Sequence, residues 1–211
     1  MLKIDTHAHW FPPEWVELIA REGAANGAEV GRNEQGQVMM VAPGIRLKPS
    51  FKATYVDIPT RLKLMDEGRV DMHALSLTSP MVYWAPPEFG LKLSRVFNDA
   101  CAAAHLKYPG RFVGMAMVPM QAPDLAVQEV DRAAQLPGIR GVYMATHVNG
   151  KNLDEKEFCR CTSVARRSAC RFSCTPSRRP AASACASTTS ATFWVILTKR
   201  ESPPLHSYSA A

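Results

Sequence analysis

The sequence predicts an α/β fold, the N-terminal half of a (β/α)8 barrel, followed by an irregular C-terminal tail. Three observations predict it. Short apolar runs alternate with helix-length amphipathic segments up to residue 158, the first run ends in two histidines, and the composition changes abruptly at Cys159. Strands alternating with helices imply right-handed βαβ units in a parallel sheet. Near-continuous apolar strands imply a sheet covered on both faces. Four strands in about 145 residues fit half of a barrel that commonly takes about 250. A doubly wound open sheet is the alternative, but no Gly-rich phosphate loop follows the first strand.

The elements follow in order. Leu2 and Ile4 open a short strand that runs into Asp5-Thr6-His7-Ala8-His9. Pro12-Pro13-Glu14 starts a helix, because proline is tolerated in a first turn. Trp15, Val16, Leu18 and Ile19 carry that helix to Gly23. Residues 24–53 read as a long excursion with one short strand at Val38-Met39-Met40-Val41. Ile58-Pro59 begins a second helix that ends at Gly68, and Met72 to Thr78 is a buried strand. Pro86-Pro87-Glu88 opens a long helix to about Lys107, stopped by Pro109-Gly110. Phe112 to Val118 is the next strand. Asp124 then caps a helix to Leu136, and Ile139 to Ala145 is the fourth core strand.

Charge divides the chain at the same place as pattern. Residues 1–158 carry 17 Lys+Arg and 18 Asp+Glu, whereas residues 159–211 carry 8 Lys+Arg and the single acid Glu201. The net charge of +6 therefore belongs to the tail and is no argument that the body binds nucleic acid or membrane. Five of the six cysteines also lie in the tail, leaving Cys101 in the body, so a cytoplasmic location is expected. No stretch approaches the roughly 20 apolar residues of a membrane helix, and nothing at the N-terminus reads as a signal peptide.

The histidine pair carries the chemistry. Residues two apart on a strand point to the same side, so His7 and His9 direct two imidazoles to one region. Two neutral imidazoles are half of a transition-metal site. Their place at the C-terminal end of a first barrel strand is where functional groups of that fold collect. Thr78-Ser79-Pro80 and Thr146-His147 occupy the corresponding ends of later strands. His73 reads as a packed core residue, His105 as partly exposed, and Trp10, Trp15 and Trp84 as wall or core.

The stretches KIDTHAHWFPPEW, LMDEGRVD, PMVYWAPPE, YPGRFVG, VPMQAPDLAVQE and GVYMATHVNGKNLDEKEF, in order over residues 3–158, resemble the amidohydrolase-related metal-dependent decarboxylases. The resemblance implies a barrel of the metal-dependent hydrolase type holding one divalent metal, usually Zn²⁺. It implies His7 and His9 as the first-strand ligands, and a homodimer for the full-length protein. It also implies a third histidine from the fifth strand in an LHP- or VHP-like motif, a later proton-transfer histidine and a final aspartate. None of these has a counterpart in the body, because His147 belongs to the preceding strand. An arginine after the first helix holds a substrate carboxylate in the family. Arg46 and Lys48 lie in that region, with two solvated surface cations as the alternative.

Residues 159–211 match nothing in that family, and their cysteine spacing lacks the paired form of a zinc module. They read as the downstream gene translated out of frame. Taking the last base of each codon with the first two of the next, Cys174-Thr175 permits only Tyr or His, and Trp194-Val195 only Gly. By choice among the remaining allowed bases, Phe158 to Pro176 can be reread as a helix and an apolar strand ending in His-Pro. On this reading the 211-residue chain is truncated, unstable or aggregated, and inactive. Three function classes follow: a metal-dependent lyase decarboxylating a small unsaturated or aromatic carboxylic acid, an amide or lactone hydrolase on the same scaffold, and a non-enzymatic basic binding tail. The expected partner is a small carboxylate, with neither nucleic acid nor membrane.

Overall fold

The computed structural model describes residues 2–43, 51, 53–79, 81–145 and 147–161, together with the backbone of a strand at 192–196. β1 (Ile4–His9), β4 (Met72–Ser76), β5 (Phe112–Ala116) and β6 (Ile139–Ala145) form a parallel sheet in the order β1-β4-β5-β6. Between them run α1 (Pro13–Glu22), α2 (Ala53–Val56), α3 (Ile58–Glu67), α4 (Pro87–Lys107) and α5 (Pro123–Ala133). This is the βα alternation of a barrel, with four of its strands in place.

α1, α3 and α4 start as the sequence predicts, with proline in the first turn, and α5 also carries proline there. The Asp57 carboxylate accepts from Thr60 N at 2.7 Å and caps α3. Asp124 does not cap α5. The helix begins at Pro123 after Ala122, and Asp124 sits in the first turn, where its carboxylate accepts from Arg160 at 2.8 Å. Proline at the first position moved the start two residues earlier than the acid suggested.

The excursion after α1 holds a hairpin of β2 (Glu29–Arg32) and β3 (Val38–Val41), of which β3 alone was expected. Glu29-Val30-Gly31-Arg32 has too little apolar content to announce a strand. Two short strands, β7 (His147–Val148) and β8 (Lys151–Asn152), make a second hairpin past β6. Within the tail, expected to be irregular, β9 (Thr192–Ile196) adds to the sheet antiparallel to β6.

One face of the sheet meets the helices. Gly114 on β5 allows this close approach, because a Cβ there would stand 2.7 Å from Cys101 Cβ on α4 and 2.6 Å from Ile139 Cδ1. Asn98 on α4 clamps the chain just past β5. Its amide donates to Met117 O at 2.9 Å, and its oxygen accepts from Met117 N at 2.8 Å. The same amide donates to the fully buried Glu129 of α5 at 2.7 Å, and Glu129 also accepts from Arg95 and Arg132. These groups satisfy one another, as buried polar groups must.

The sheet's other side departs from expectation. Ile4 and Thr6, Met72 and Ala74, and Val113 and Met115 alternate along three strands and line one open groove of about 610 Å³. Leu2 and Ile4 are 61% and 48% exposed. The apolar runs predicted a sheet covered twice over, and among the described residues that cover is incomplete. Four strands of a barrel do not wrap far enough to fill their own interior.

Candidate metal centre

β1 ends at the two histidines, and its irregularity aims them. The register against β4 shifts between Asp5 and Ala8, a bulge within the strand. Such bulges re-aim side chains. The Asp5 carboxylate accepts the His7 backbone N–H at 2.8 Å, a local bond of the kind aspartate makes two residues on.

Past the bulge the two imidazoles converge. Their Nε2 atoms stand 3.0 Å apart, with ring centroids at 4.5 Å. Bonds of 2.0–2.1 Å from one cation to two adjacent imidazole nitrogens place those nitrogens about 2.9–3.4 Å apart. The pair therefore fits two neighbouring positions on one ion. Without an ion, one Nε2 donates to the other. No cluster of three or more His, Cys, Asp or Glu suited to a metal occurs among the described residues.

His9 is prepared for such a role by its surroundings. Burial, with the neighbouring His7 and Arg61, lowers its pKa to about 4, so the ring is neutral at physiological pH. A donor imidazole must be neutral. Its Nδ1 lies 3.0 Å from the Oγ of Ser76, a fully buried residue of β4. With the Nδ1 proton given to Ser76, Nε2 keeps its lone pair facing His7. Holding the second ring nitrogen is how such rings are oriented and their tautomer fixed. The Tyr143 ring on β6 meets His9 edge-on at 5.9 Å and closes one side.

Behind this face lies a second polar group. Arg61 on α3 is buried, and its guanidinium donates to His9 O, to Thr54 O at 3.4 Å and to His73 Nδ1 at 3.3 Å. His73 Nε2 is 3.7 Å from Asp5 Oδ2. Burial foremost, then Arg61, holds the His73 pKa below its ordinary value. His73 is thus half-buried in a polar relay, where the sequence suggested plain core packing.

The structure brings together His7 and His9 from the sequence reading. The other two predicted site residues, Arg46 and Lys48, lie outside the described residues. His147 is exposed on β7 and pairs with Asn152. His105 is partly exposed and bonds to Phe112 O at 2.8 Å. Trp10 and Trp15 are buried, and Trp84 packs against the core, its indole donating to Met81 O at 3.2 Å. Sequence reasoning missed Ser76, Tyr143 and Arg61. The first two sit at the C-terminal ends of β4 and β6, a position that could have marked them. Arg61 carried no signal beyond a cation on the inner side of a short helix.

The model of the family described as "Amidohydrolase" matches residues 4–187, and so runs past the change in composition at 158 into a segment where the sequence reading expected no likeness to the family. A 2-amino-3-carboxymuconate-6-semialdehyde decarboxylase of Dictyostelium discoideum is 30% identical over 155 residues, which is 73% of this chain and 43% of that protein. A gamma-resorcylate decarboxylase of Rhodococcus jostii is 39% identical over 96 residues, 44% of this chain and 29% of the relative. Among solved structures, 5-carboxyvanillate decarboxylase of Novosphingobium aromaticivorans, complexed with manganese and 4-hydroxy-3-methoxy-5-nitrobenzoic acid, is 27% identical. It has a TM-score of 0.59 and covers 77% of this chain and 47% of its own. This chain spans less than half the length of each of these relatives.

Proposed function

This chain belongs to the amidohydrolase family, and on that premise we propose that it derives from a metal-dependent decarboxylase acting on a small unsaturated or aromatic carboxylic acid. One observation carries the reading: two imidazole Nε2 atoms meet 3.0 Å apart at the C-terminal end of the first strand. The three relatives described above are all named decarboxylases, and one holds manganese with an aromatic acid. His7 and His9 would hold a divalent ion. Zn²⁺ is the first candidate, since paired imidazoles suit it, and Mn²⁺ is the competitor from the relative. Such an ion supplies Lewis-acid polarisation and an acidified water.

The chain's own residues do the rest. Ser76 fixes the His9 ring and its tautomer, and Tyr143 walls the site against water on the β6 side. Arg46 and Lys48 are the proposed partners of the substrate carboxylate, as charge-assisted donors. A cytoplasmic location and a homodimer belong to the same reading.

The segment after residue 158 we read as out of frame, from the codon argument and the shift from near-neutral to basic composition. On that reading the chain as written does not decarboxylate. Sequencing the coding DNA around codon 158 tests it. An extra or missing base restores a full barrel and predicts CO₂ release from a carboxylated phenol such as gamma-resorcylate. Hydrolysis of an amide or lactone without CO₂ release would move the restored enzyme to the hydrolase reading. Metal-dependent CO₂ release by the 211-residue chain itself would overturn the out-of-frame reading.

A further inference from the structure

We infer that Arg61 is a positioning residue that locks the end of β1 and thereby sets the His9 ring, an inference that rests on the metal reading above. The geometry begins with the peptide between His9 and Trp10. Its N–H donates to Ser76 O at 2.9 Å, across to β4. Its carbonyl, the His9 oxygen, therefore points off the opposite edge of β1, away from the ladder. The Arg61 guanidinium meets it there.

The same guanidinium reaches Thr54 O on α2. This ties β1 to a segment that touches it twice more. Phe11 N donates to Tyr55 O, and Trp10 Nε1 donates to Val56 O, both at 2.9 Å. Arg61 is the knot of this seam between the strand end and the α2 turn.

Arg61 is an expensive choice for mere packing. It is 5% exposed, and its Nε finds no partner among the described residues. The carboxylate whose charge it feels is Asp5, which stands on the far side of His73. Arginine has no acceptor, so His73 Nδ1 must accept from it, which leaves the His73 proton on Nε2 facing Asp5. A well-packed apolar residue often serves stability as well as a buried ion does or better, and fixed register is the best-attested return for keeping the ion. The register fixed here is that of His9. Asp5, at the bulge that aims His7, closes the relay on the His7 backbone N–H.

The test uses the full chain with Arg61→Met, Arg61→Lys and His73→Leu. Three readouts are taken: the urea midpoint, the long-range ¹H–¹⁵N spectrum of the His9 ring in metal-free protein, and the Zn²⁺ dissociation constant by competition with a chromophoric chelator. Arg61→Met is expected to move the His9 ring nitrogens from a single-tautomer pattern toward averaging and to weaken Zn²⁺ about tenfold or more, the usual effect of losing an outer partner. Arg61→Lys restores part of both, since it keeps one donor, and His73→Leu gives a smaller loss. If Arg61→Met fails to fold, the lysine and leucine variants decide by the same two site readouts. A lowered urea midpoint with native ring spectrum and native Zn²⁺ affinity overturns the inference and leaves Arg61 a structural strut. Zn²⁺ affinity unchanged in His7→Ala and His9→Ala sinks the metal reading instead, and the ring spectra still decide the role of Arg61.

Discussion

Ser76→Ala separates the making of a metal site from the making of the fold. The Ser76 Oγ is 3.0 Å from His9 Nδ1, and the residue is wholly buried in β4. Alanine removes one atom and leaves the strand's backbone ladder intact. What is lost is the bond that selects the His9 tautomer with a free Nε2. A net neutral hydrogen bond contributes about 0.5–1.5 kcal/mol, which is roughly a 2- to 12-fold change in an equilibrium constant. Partners behind a metal-binding histidine commonly govern 10- to 100-fold in affinity. The two ranges overlap near tenfold, and that is the expected loss of Zn²⁺ or Mn²⁺ affinity by isothermal titration. The fold should lose only about 1 kcal/mol, because the half-buried ring retains access to water. Affinity within twofold of the native chain, together with reduced stability, would refute the reasoning and make Ser76 a packing residue.

Three other outcomes are expected. The His9 pKa of about 4 lies below the ordinary 6.5, so the unfolded chain takes up that proton first as pH falls. Stability is therefore flat above pH 6.5 and is lost between 6.5 and 4. The full shift corresponds to about 3 kcal/mol, reduced to roughly 1–2 by the ring's partial exposure. Urea midpoints at pH 7 and 4.5 should differ less in His9→Asn than in the native chain. Glu129→Ala removes a buried acceptor from the Asn98 amide, which keeps Met117 O, and from Arg132, which keeps Asp99, and should cost about 1–3 kcal/mol in urea unfolding; an unchanged midpoint would show the network to be replaceable. Gly114→Ala drives a methyl into Cys101 and Ile139 and should cost about 1–3 kcal/mol by thermal unfolding, whereas an unchanged midpoint would show that α4 can shift.

The parallel core was legible because β4, β5 and β6 are apolar runs bounded by proline, glycine or charge, and each long helix opens with proline. β2 was not, since Gly31 and two charged residues mask a strand that exists by pairing with β3. The histidine pair was legible as a short-range pattern of period two. Ser76, Tyr143 and Arg61 were not, because their roles depend on how elements separated from His9 by more than 50 residues of sequence are laid against it. A serine at the end of an apolar run looks like any other serine until β4 is laid beside β1 with His9 opposite Ser76.

The bulge in β1 shows why the period-two argument was right in outcome and incomplete in cause. Alternation alone puts two side chains on one side of a regular strand, with Cα atoms about 6–7 Å apart, and leaves their ring tips to separate rotamers. Here the ladder breaks between Asp5 and Ala8, the released His7 N–H is taken by Asp5, and the two ring tips close to 3.0 Å. The carboxylate that stabilises the break also faces His73, and through it the arginine that holds the far end of the same strand. A strand whose irregularity is held by a half-exposed carboxylate and whose edge is held by a buried arginine is over-determined for folding alone. That is the physical ground for assigning chemistry to this end of the sheet, and it depends on neither the tail nor the residues beyond it.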